Sequence, residues 1–306
     1  MRARPASLVG LDWGTTSARA YRFDDRGSVL EMRAAPLGIQ QLKGGYPEAL
    51  AMLLGDWGRE RVPRLACGMI GSRQGWIEAP YVACPAPALA LARGIVRTED
   101  DALAIVPGLT CRDADGTPDV MRGEETQVAG AVPDGAGPTL AILPGTHSKW
   151  ALVHDGAIAA FATQMTGEVF AVLREHSILG RMIGAAPQQF AAAAFTRGVR
   201  RGLERSGDLL HQLFGVRTLA LLEGLGADEA GDYLSGLLIG SEVAAGREWA
   251  TRQGAPLDSA VLIGGRALCD RYSTALREAG LDARIAPDDA AARGLWRVAT
   301  AAGLVR

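Results

Sequence analysis

The feature that most constrains the fold is an internal repeat of a strand–turn–strand unit, offset by 131 residues. Residues 14–17 read Gly-Thr-Thr-Ser, and residues 145–148 read Gly-Thr-His-Ser. At the same offset, the acidic turn at Asp24 aligns with the acidic turn at Asp155. Each copy predicts an apolar strand, a Gly-Thr-x-Ser turn, a second strand, an acidic turn and a third strand. Because two such turns suit the two sides of a polyphosphate, the repeat predicts an ATP-binding protein.

Composition restricts the class of protein further. A chain of 306 residues with 48% hydrophobic and 22% charged residues is typical of a folded protein with room for two domains. The net charge of −2, without a block of like charges, predicts no nucleic-acid or membrane partner. The four cysteines are scattered, and no apolar segment suits a signal peptide or a membrane span. We therefore expect buried, reduced thiols and a cytoplasmic location.

Two β-rich halves, each beginning with a hairpin and continuing into helices, predict an α/β protein with a cleft between two domains. The segment Pro-Asp-Gly-Ala-Gly-Pro at 133–138 has the composition of a linker. We therefore expect an N-terminal domain over residues 1–133 and a C-terminal domain over residues 134–306.

The spacing of apolar residues predicts the remaining elements. The proline-rich segment Pro80–Pro87 is expected to be irregular, and Thr163–Glu168 to be a polar turn. A helix over Asp228–Arg252 carries small residues, including Gly236 and Gly240, that would allow close packing against a strand or a nucleotide. The other predicted helices are Pro47–Arg59, Phe190–Phe214 and Asp288–Leu304, and the predicted strands are Leu8–Asp12, Ala18–Phe23, Ser28–Arg33, Arg64–Met69 and Ala260–Ile263.

The first turn combines a carboxylate with groups that bind phosphate. Asp12 ends a predicted strand, and Gly14 would let the backbone turn with a positive φ. Asp12 would hold Mg²⁺ through water, because this ion keeps most of its own waters. The alternative is an ordinary turn whose aspartate accepts hydrogen bonds from turn amides. The residues that offer hydroxyl and backbone N–H groups to phosphate are Thr15, Thr16 and Ser17.

The second turn keeps the phosphate-binding character and adds other polar groups. Gly145 and Thr146 repeat the first turn, and His147, Ser148 and Lys149 follow. Either Lys149 or His147 would contact a transferred phosphoryl group or an anionic substrate, although His147 has a purely structural alternative. The sequence contains neither a Walker pattern nor Gly-x-Gly-x-x-Gly, which argues against P-loop and Rossmann sites.

An acidic pair, Glu124 and Glu125, follows Gly123 at the start of a predicted helix. Phosphoryl transfer to an alcohol needs a carboxylate within hydrogen-bond reach of the attacking hydroxyl. Arg122 adds a cation at the same place. The alternative is that glutamates in a first helical turn only complement the helix macrodipole.

Two further segments suggest binding of small molecules. The loop after the strand Arg64–Met69 suits a small polyol with a carboxylate. Arg73 would bind the carboxylate through two parallel hydrogen bonds, and the indole of Trp76 would pack against the carbon chain. A solvated loop is the alternative. Gly264 and Gly265 end another strand and would let adenine or ribose approach the backbone; a plain strand-to-helix turn is the alternative. The remaining candidate substrate contacts are Ser72, Gln74 and Glu168.

These motifs resemble the phosphate-1, phosphate-2 and adenosine motifs of the acetate and sugar kinase/Hsp70/actin superfamily. Within it the chain is most similar to the 2-dehydro-3-deoxygalactonokinase family, over nearly its whole length. The segments that carry the resemblance are Asp12–Ser17, Gly68–Ser72, Gly75–Trp76, Ala79–Tyr81, Pro107–Leu109, Met121–Gln127, Pro144–Trp150, Met165–Glu168 and Leu234–Glu242.

The resemblance implies a two-domain actin-like ATPase (ribonuclease H-like) fold with an interdomain cleft. The first domain would bind the sugar, the second would bind the nucleotide, and the last helix would pack at the hinge. It also implies ATP and Mg²⁺ as cofactors and transfer of the γ-phosphoryl group to the 6-hydroxyl of 2-dehydro-3-deoxy-D-galactonate. Where related sugar kinases carry an aspartate before phosphate-2, this chain has Glu125-Thr126, so Glu125 is the first candidate base and Glu124 the second. Asp12 would lie on the metal side.

Two other functions remain open from the sequence. A kinase of an epimeric keto-deoxy acid of the gluconate type would have the same fold, because a single hydroxyl contact separates epimers. An ATPase switch of this fold without kinase activity is the alternative from another class. The sequence does not set the oligomeric state, and a homodimer is compatible with it.

Overall fold

The computed structural model describes residues 5–42, 44–184 and 189–305. The strands, in chain order, are β1 (Leu8–Trp13), β2 (Ala18–Phe23), β3 (Val29–Ala35), β4 (Arg64–Gly68), β5 (Tyr81–Ala83), β6 (Ala86–Pro87), β7 (Val96–Arg97), β8 (Ala104–Ile105), β9 (Gly108–Arg112), β10 (Pro118–Met121), β11 (Thr139–Leu143), β12 (Ser148–His154), β13 (Ala157–Gln164), β14 (Ser259–Leu262) and β15 (Asp282–Ile285). The α-helices are α1 (Tyr46–Leu54), α2 (Ala88–Arg93), α3 (Glu124–Ala131), α4 (Thr166–His176), α5 (Ala192–Glu204), α6 (Leu209–Leu222), α7 (Ala230–Arg252), α8 (Arg266–Glu278) and α9 (Ala290–Ala301).

The described residues form two compact units. Unit 1 lies within Met1–Gly137, Val153–Phe161 and Pro287–Arg306, and unit 2 within Pro138–Leu152 and Ala162–Ala286. The last helix, α9, therefore belongs to unit 1. The domain boundary after residue 133 and the role of the last helix at a hinge stay predictions.

The main sheet of unit 1 has the strand order β3-β2-β1-β4-β8-β7. The first three strands are antiparallel neighbours, while β4 lies parallel to β1 and β8 lies parallel to β4. Because β1 and β4 are parallel, their carboxyl ends meet at one edge of the sheet, with Asp12 in register with Cys67. Large side chains such as Trp13, Leu53 and Ile70 form the buried core beside this sheet.

A second six-stranded sheet repeats this strand order. It runs β15-β14-β11-β12-β13-β6, with β14 parallel to β11 and β15 parallel to β14. In both sheets, three strands joined by short turns are followed on the side of the first strand by two parallel strands. The repeat predicted from the Gly-Thr-x-Ser turns is thus confirmed in the topology of the two sheets.

Three sequence-based predictions of local structure are wrong. Pro80–Pro87 is not irregular: Tyr81–Ala83 forms β5, an edge strand where flanking prolines are tolerated. The predicted helix Phe190–Phe214 is two helices separated by a 3₁₀ turn at Ser206–Asp208, where Gly207 disfavours a continuous helix. Thr163–Glu168 is the end of β13 and the start of α4 rather than a turn. Among the cysteines, Cys67 and Cys269 are buried as expected, whereas Cys84 and Cys111 are only half-buried.

Glycines allow α5 and α7 to pack with their backbones in contact. A Cβ atom at Gly198 of α5 would overlap the carbonyl oxygen of Tyr233 in α7. Likewise, a Cβ atom at Gly236 of α7 would overlap the carbonyl oxygen of Phe195 in α5. The small-residue face predicted on this long helix therefore contacts another helix, and not a strand or a nucleotide.

Gly198→Ala is expected to lower the free energy of unfolding by about 1–3 kcal/mol, because the added methyl group overpacks a backbone contact. Urea unfolding followed by circular dichroism measures the change. Gly215→Ala in α6 is the matched control, since a Cβ atom there meets no atom within 4 Å. The control should keep or raise the stability, by up to about 1 kcal/mol, because alanine is the better helix former. Equal stability of the two variants would contradict the proposed helix contact.

The same kind of contact fixes α3 in unit 1. A Cβ atom at Gly294 of α9 would overlap the carbonyl oxygen of Thr126, and one at Gly130 would overlap the carbonyl oxygen of Ala290. The helix that begins with the acidic pair is therefore held rigidly against α9. Among the described helices, none combines the length and the apolar character that crossing a membrane requires.

Candidate active site

The Gly-Thr-Thr-Ser turn of unit 1 is a tight turn supported by a neighbouring segment. The amide of Gly14 donates to the carbonyl oxygen of Ser17 (2.9 Å), and the carbonyl oxygens of Gly14 and Thr15 accept from Ile39 (3.1 Å) and Gln40 (3.0 Å). Thr16 and Ser17 are exposed at the turn, as expected for groups that bind phosphate. The expectation of a positive φ at Gly14 is wrong, since this glycine lies outside the left-handed region.

Left-handed glycines instead join the ends of β1 and β4 to the start of α3. Gly68, which ends β4, has φ 93°, and a Cβ atom there would lie 2.7 Å from the carbonyl oxygen of Trp13. Gly123, which precedes α3, has φ 105°, and its Cβ atom would lie 3.1 Å from the Cα atom of Gly68. Three backbone segments therefore meet at one edge of the sheet, and they bring the side chains of Asp12 and of the acidic pair to the same region of unit 1.

Asp12 is a largely buried carboxylate beside the first turn. Its nearest cation is Arg19, whose Nη1 lies 3.9 Å from Oδ2. Burial raises the pKa of Asp12, and the charge of Arg19 lowers it in part. Burial and the neighbouring Asp12, Glu125 and Glu124 carboxylates raise the pKa of the Cys67 thiol well above its ordinary value, since they all disfavour a further negative charge.

The two glutamates of the acidic pair have different environments. Glu125 is 0% exposed, and its carboxyl oxygens accept hydrogen bonds from the amide of Gly123 (2.7 Å) and the hydroxyl of Thr126 (2.9 Å). Burial, together with the charge of Glu124, raises the pKa of Glu125 to about 8. Glu124 is half-buried, and its Oε2 accepts from the amide of Arg122 (2.9 Å). Of these two glutamates, Glu125 is fully buried and Glu124 is partly exposed.

Arg122 and Ser72 are buried polar residues with unsatisfied atoms. Each is only 9% exposed. The guanidinium of Arg122 lies over the ring of Tyr81, 4.3 Å from its centroid, and Nη2 donates to the carbonyl oxygen of Ala79 (2.8 Å). Among the described residues, Arg122 Nε and Nη1 and Ser72 Oγ have no hydrogen-bond partner. A Cβ atom at Gly71 would lie 3.1 Å from Nη1, so Arg122 lies next to the residue that precedes Ser72.

The rest of the predicted substrate loop is more exposed. Arg73 and Gln74 are exposed, so Arg73 is not a buried fork for a carboxylate in this structure. Trp76 is half-buried and stacks on Tyr46, with ring centroids 5.9 Å apart. The hydroxyl of Tyr46 donates to the carbonyl oxygen of Gln74 (2.7 Å), which fixes the loop.

The second turn, in unit 2, is held by the start of α4. A Cβ atom at Gly167 would overlap the carbonyl oxygen of Gly145, so the helix approaches the turn as closely as glycine permits. The amide of Glu168 donates to the carbonyl oxygen of Thr146 (3.0 Å), and the carboxylate of Glu168 pairs with Nε2 of His147. The structure therefore brings together predicted residues that are 21 positions apart in the chain.

The predicted adenosine glycines lie next to this turn. The amide of Ile263 donates to the carbonyl oxygen of Ile142 (2.9 Å), so that β14 and β11 end side by side. Gly264 has φ 150°, and a Cβ atom there would lie 3.5 Å from the carbonyl oxygen of Pro144. Gly265 precedes α8. A cavity of about 270 Å³ opens here, lined by Gly145, Thr166, Gly167, Phe170, Ser235, Leu238, Ile239, Ala267, Leu268, Arg271 and Tyr272.

Ser148 and Lys149 point into the protein rather than towards the turn. Ser148 is fully buried, and its hydroxyl donates to Oε1 of Glu242 (2.7 Å). Lys149 is buried in β12, and its Nζ donates to the hydroxyl of Thr163 (2.7 Å) on the neighbouring strand. The Ser148 hydroxyl is thus bound to a carboxylate instead of being offered to a phosphate.

No group of three or more His, Cys, Asp or Glu side chains that could hold a metal ion occurs within residues 5–42, 44–184 and 189–305. A Mg²⁺ ion in phosphoryl transfer commonly uses one or two carboxylates, waters and the phosphates of its substrate. Asp12 suits this arrangement, because its carboxylate lies beside the phosphate-type turn and pairs, among the described residues, with Arg19 at the long distance of 3.9 Å.

Sequence reasoning missed several residues of the site. Tyr81 contacts the guanidinium of Arg122, and Ile39 and Gln40 support the first turn. Tyr81 lay in a segment of the family resemblance but was given no role, and Ile39 and Gln40 carry no recognisable motif. Glu242 and Tyr272 lie beneath the second turn. The segment Leu234–Glu242 was part of the family resemblance, and its buried glutamate on an apolar helix was the signal that could have found this contact.

Comparison with known proteins defines first the fold class. The repeated sheet is that of the actin-like ATPases. A structure of the activator of 2-hydroxyisocaproyl-CoA dehydratase from Clostridium difficile with bound ADPNP superimposes with a TM-score of 0.50 at 14% identity, covering 96% of this chain and 95% of that one.

Closer relatives define the family. A 2-dehydro-3-deoxygalactonokinase from Escherichia coli (strain K12) is 38% identical over 298 residues, which are 97% of this chain and 98% of the relative. A crystal structure of a protein from Sinorhizobium meliloti, provisionally given the same enzyme name, has a TM-score of 0.88 at 37% identity and covers 96% of this chain and 98% of its own. The sequence model of 2-keto-3-deoxy-galactonokinase matches residues 12–298. The chain belongs to the 2-keto-3-deoxy-galactonokinase family and is a carbohydrate kinase, for which ATP is the phosphoryl donor.

Proposed function

We propose that the protein transfers the γ-phosphoryl group of ATP to the 6-hydroxyl of 2-dehydro-3-deoxy-D-galactonate, a step in galactonate catabolism. The observation that carries the proposal is the partly exposed Glu124, which lies beside a buried arginine with unpartnered donors and in the region of Asp12. These groups match the needs of the reaction, namely a base for an alcohol, a cation for a sugar acid and a carboxylate for a metal. The names of the relatives supply the identity of the sugar acid.

In the proposed mechanism, the oxygen of the 6-hydroxyl attacks the γ-phosphorus of ATP while Glu124 accepts the hydroxyl proton. ADP is the leaving group. Glu125 was the first candidate from the sequence, and its role stays a prediction. The structure favours Glu124, because both oxygens of Glu125 already accept hydrogen bonds inside the protein. Glu125 would instead support the backbone that precedes α3.

Arg122 and Ser72 are proposed to bind the carboxylate of the sugar acid. The two unpartnered guanidinium nitrogens and the serine hydroxyl are donors that a carboxylate would satisfy. The cost of leaving such donors buried without partners favours occupation by an anion. Arg73, which the sequence suggested for this role, is exposed and would at most attract the substrate.

The nucleotide is proposed to bind in unit 2. The cavity of about 270 Å³ beside Gly264 and Gly265 has apolar walls suited to adenine, with Phe170 and Leu238 among them. The phosphates would contact the Gly145–His147 turn of unit 2, and the role of the Gly14–Ser17 turn of unit 1 stays a prediction. Mg²⁺, held through water by Asp12, would neutralise charge on the phosphate oxygens. The cytoplasmic location and a homodimer stay predictions.

The test is ADP release from ATP and Mg²⁺ with four additions measured side by side: 2-dehydro-3-deoxy-D-galactonate, its gluconate epimer, galactonate and no sugar. Release that requires the galactonate-derived keto acid supports the proposal. Preference for the gluconate epimer would assign the kinase to that substrate. Release that is equal with and without a sugar would point to an ATPase switch.

Arg122→Lys is expected to raise the KM for the sugar acid by about tenfold or more, since lysine keeps the charge but loses the planar array of donors. Steady-state kinetics would show a smaller change in kcat, and calorimetry would show an unchanged Kd for ADP. Arg73→Lys is the matched control, with a KM within about twofold of the wild type. A larger rise in the KM for the sugar acid in Arg73→Lys than in Arg122→Lys would assign the carboxylate contact to Arg73 instead.

A further inference from the structure

Glu242 is a buried carboxylate that no step of the proposed reaction uses. It lies in α7 and is only 4% exposed. Its Oε1 accepts hydrogen bonds from the hydroxyl of Ser148 (2.7 Å) and the indole of Trp150 (2.9 Å), and its Oε2 accepts from the hydroxyl of Tyr272 (2.6 Å). The hydroxyl of Thr166 is a fourth donor. Burying a carboxylate is costly unless hydrogen bonds satisfy it, so these partners stabilise Glu242 in the interior.

The four donors are neutral and come from three elements of unit 2. Ser148 and Trp150 lie in β12, Thr166 begins α4, and Tyr272 lies in α8. Hydrogen bonds from neutral donors to a carboxylate are stronger than bonds between two neutral groups. A single carboxylate in α7 therefore connects a strand and two other helices.

These elements are the ones that shape the nucleotide half of the proposed site. Ser148 is the last residue of the Gly145–Ser148 turn. Thr166 and Tyr272 both line the cavity beside Gly145. The Glu242 carboxylate thus contacts a residue of the turn and two residues that line the cavity, but Glu242 does not line the cavity itself. We therefore expect it not to touch a nucleotide bound there.

We infer that Glu242 is a positioning residue. Through its hydrogen bonds with Ser148, Thr166 and Tyr272, it fixes the Gly145–Ser148 turn relative to the cavity wall in the arrangement that binds the nucleotide. This inference rests on the proposed function only in taking ATP and ADP as the ligands of unit 2. Without the carboxylate, the turn and the cavity wall would each keep their other contacts. They would lose the hydrogen bonds to Glu242 that connect them to each other.

Glu242→Gln tests the inference with almost no change in shape. The amide NH₂ of glutamine is a donor, so at least one hydroxyl or indole hydrogen that now bonds to Glu242 loses its acceptor. We expect the Kd for ADP, measured by calorimetry, and the KM for ATP to rise about tenfold, because the turn is no longer fixed. The KM for the sugar acid should change by less than about twofold.

A double variant adds a rescue that a general loss of stability would not give. Tyr272→Phe removes one donor that the glutamine amide would oppose, while the aromatic ring remains in the cavity wall. Glu242→Gln with Tyr272→Phe should therefore bind ADP more tightly than Glu242→Gln alone. A double variant that binds ADP more weakly than the single variant would count against a positioning role.

Val243→Ala is the matched control, because Val243 is the adjacent residue of α7, is 0% exposed and has no polar side-chain atom. It should lose stability through its cavity yet bind ADP like the wild type. If Glu242→Gln does not fold, Ser148→Ala removes the link at the turn and should weaken ADP binding in the same way.

Three results would overturn the inference: wild-type ADP affinity in Glu242→Gln, wild-type affinity in Ser148→Ala, or an equal loss of affinity in Val243→Ala. Failure of the proposed function is a separate outcome, because it appears as wild-type protein that binds ADP but does not phosphorylate the keto acid. The comparison of ADP affinities decides the role of Glu242 in that case too.

Discussion

Glu124→Gln is expected to lower kcat by about a hundredfold to ten-thousandfold, the usual contribution of a positioned general base. Glutamine keeps the shape of the side chain and can still accept the hydrogen bond from the amide of Arg122. It cannot accept the proton of the 6-hydroxyl. Steady-state kinetics with saturating ATP and sugar acid measure the loss, and the Kd for ADP should stay within about twofold of the wild type.

Glu125→Gln is the matched control for this loss of rate, because it changes the neighbouring residue by the same atoms. Its carboxyl is fully buried and already accepts two hydrogen bonds, so kcat should fall by less than about tenfold. A loss at Glu125 that equals or exceeds the loss at Glu124 would assign the base to Glu125, as the sequence first suggested.

The second large effect concerns the pH dependence of stability, and Glu125 causes it. Its pKa in the folded protein is about 8, against an ordinary value of 4.5, because burial disfavours the ionised form. Between these values the folded protein binds more protons than the unfolded chain. The free energy of unfolding therefore falls as the pH rises, by up to about 1.4 kcal/mol per pH unit from this group.

Glu125→Gln should remove this contribution, since glutamine does not titrate. Urea unfolding at pH 5, 6, 7 and 8 would show a wild-type stability that falls towards pH 8 relative to the variant. Asp12 and Glu242, whose pKa values are also raised by burial, are present in both proteins, so their contributions cancel in the difference. Parallel stability curves for the two proteins would contradict a raised pKa at Glu125.

Local sequence patterns were sufficient for the hairpins and for most helices. The strands of the first hairpin begin and end within two residues of their predicted bounds, because alternating apolar residues and short turns are local signals. The break between α5 and α6 was missed although the sequence carries a signal for it, because residues 204–208 read Glu-Arg-Ser-Gly-Asp and interrupt the apolar spacing with polar residues and a glycine. The edge strand β5 was missed because its pairing with β9 depends on residues far along the chain.

In the candidate site, too, the sequence predicted some features and not others. The residues of both turns and the acidic pair were recognised from residue type and spacing. The difference between Glu124 and Glu125 was not predictable, because burial of adjacent residues in a helix depends on what packs against each face. In the same way, Arg122 rather than Arg73 is the buried arginine, since Tyr81 and the carbonyl oxygen of Ala79 hold it in place.

The sequence by itself determined the repeated hairpin, the two Gly-Thr-x-Ser turns and the family, because these depend on residue types at fixed spacings. Only the tertiary structure decided which carboxylate is accessible, which arginine has unpartnered donors, and that Ser148 is bound to Glu242. The physical reason is that accessibility, hydrogen-bond satisfaction and pKa depend on the neighbours of a side chain in space. Those neighbours come from strands and helices that can be more than ninety positions apart in the chain, as Ser148 and Glu242 are.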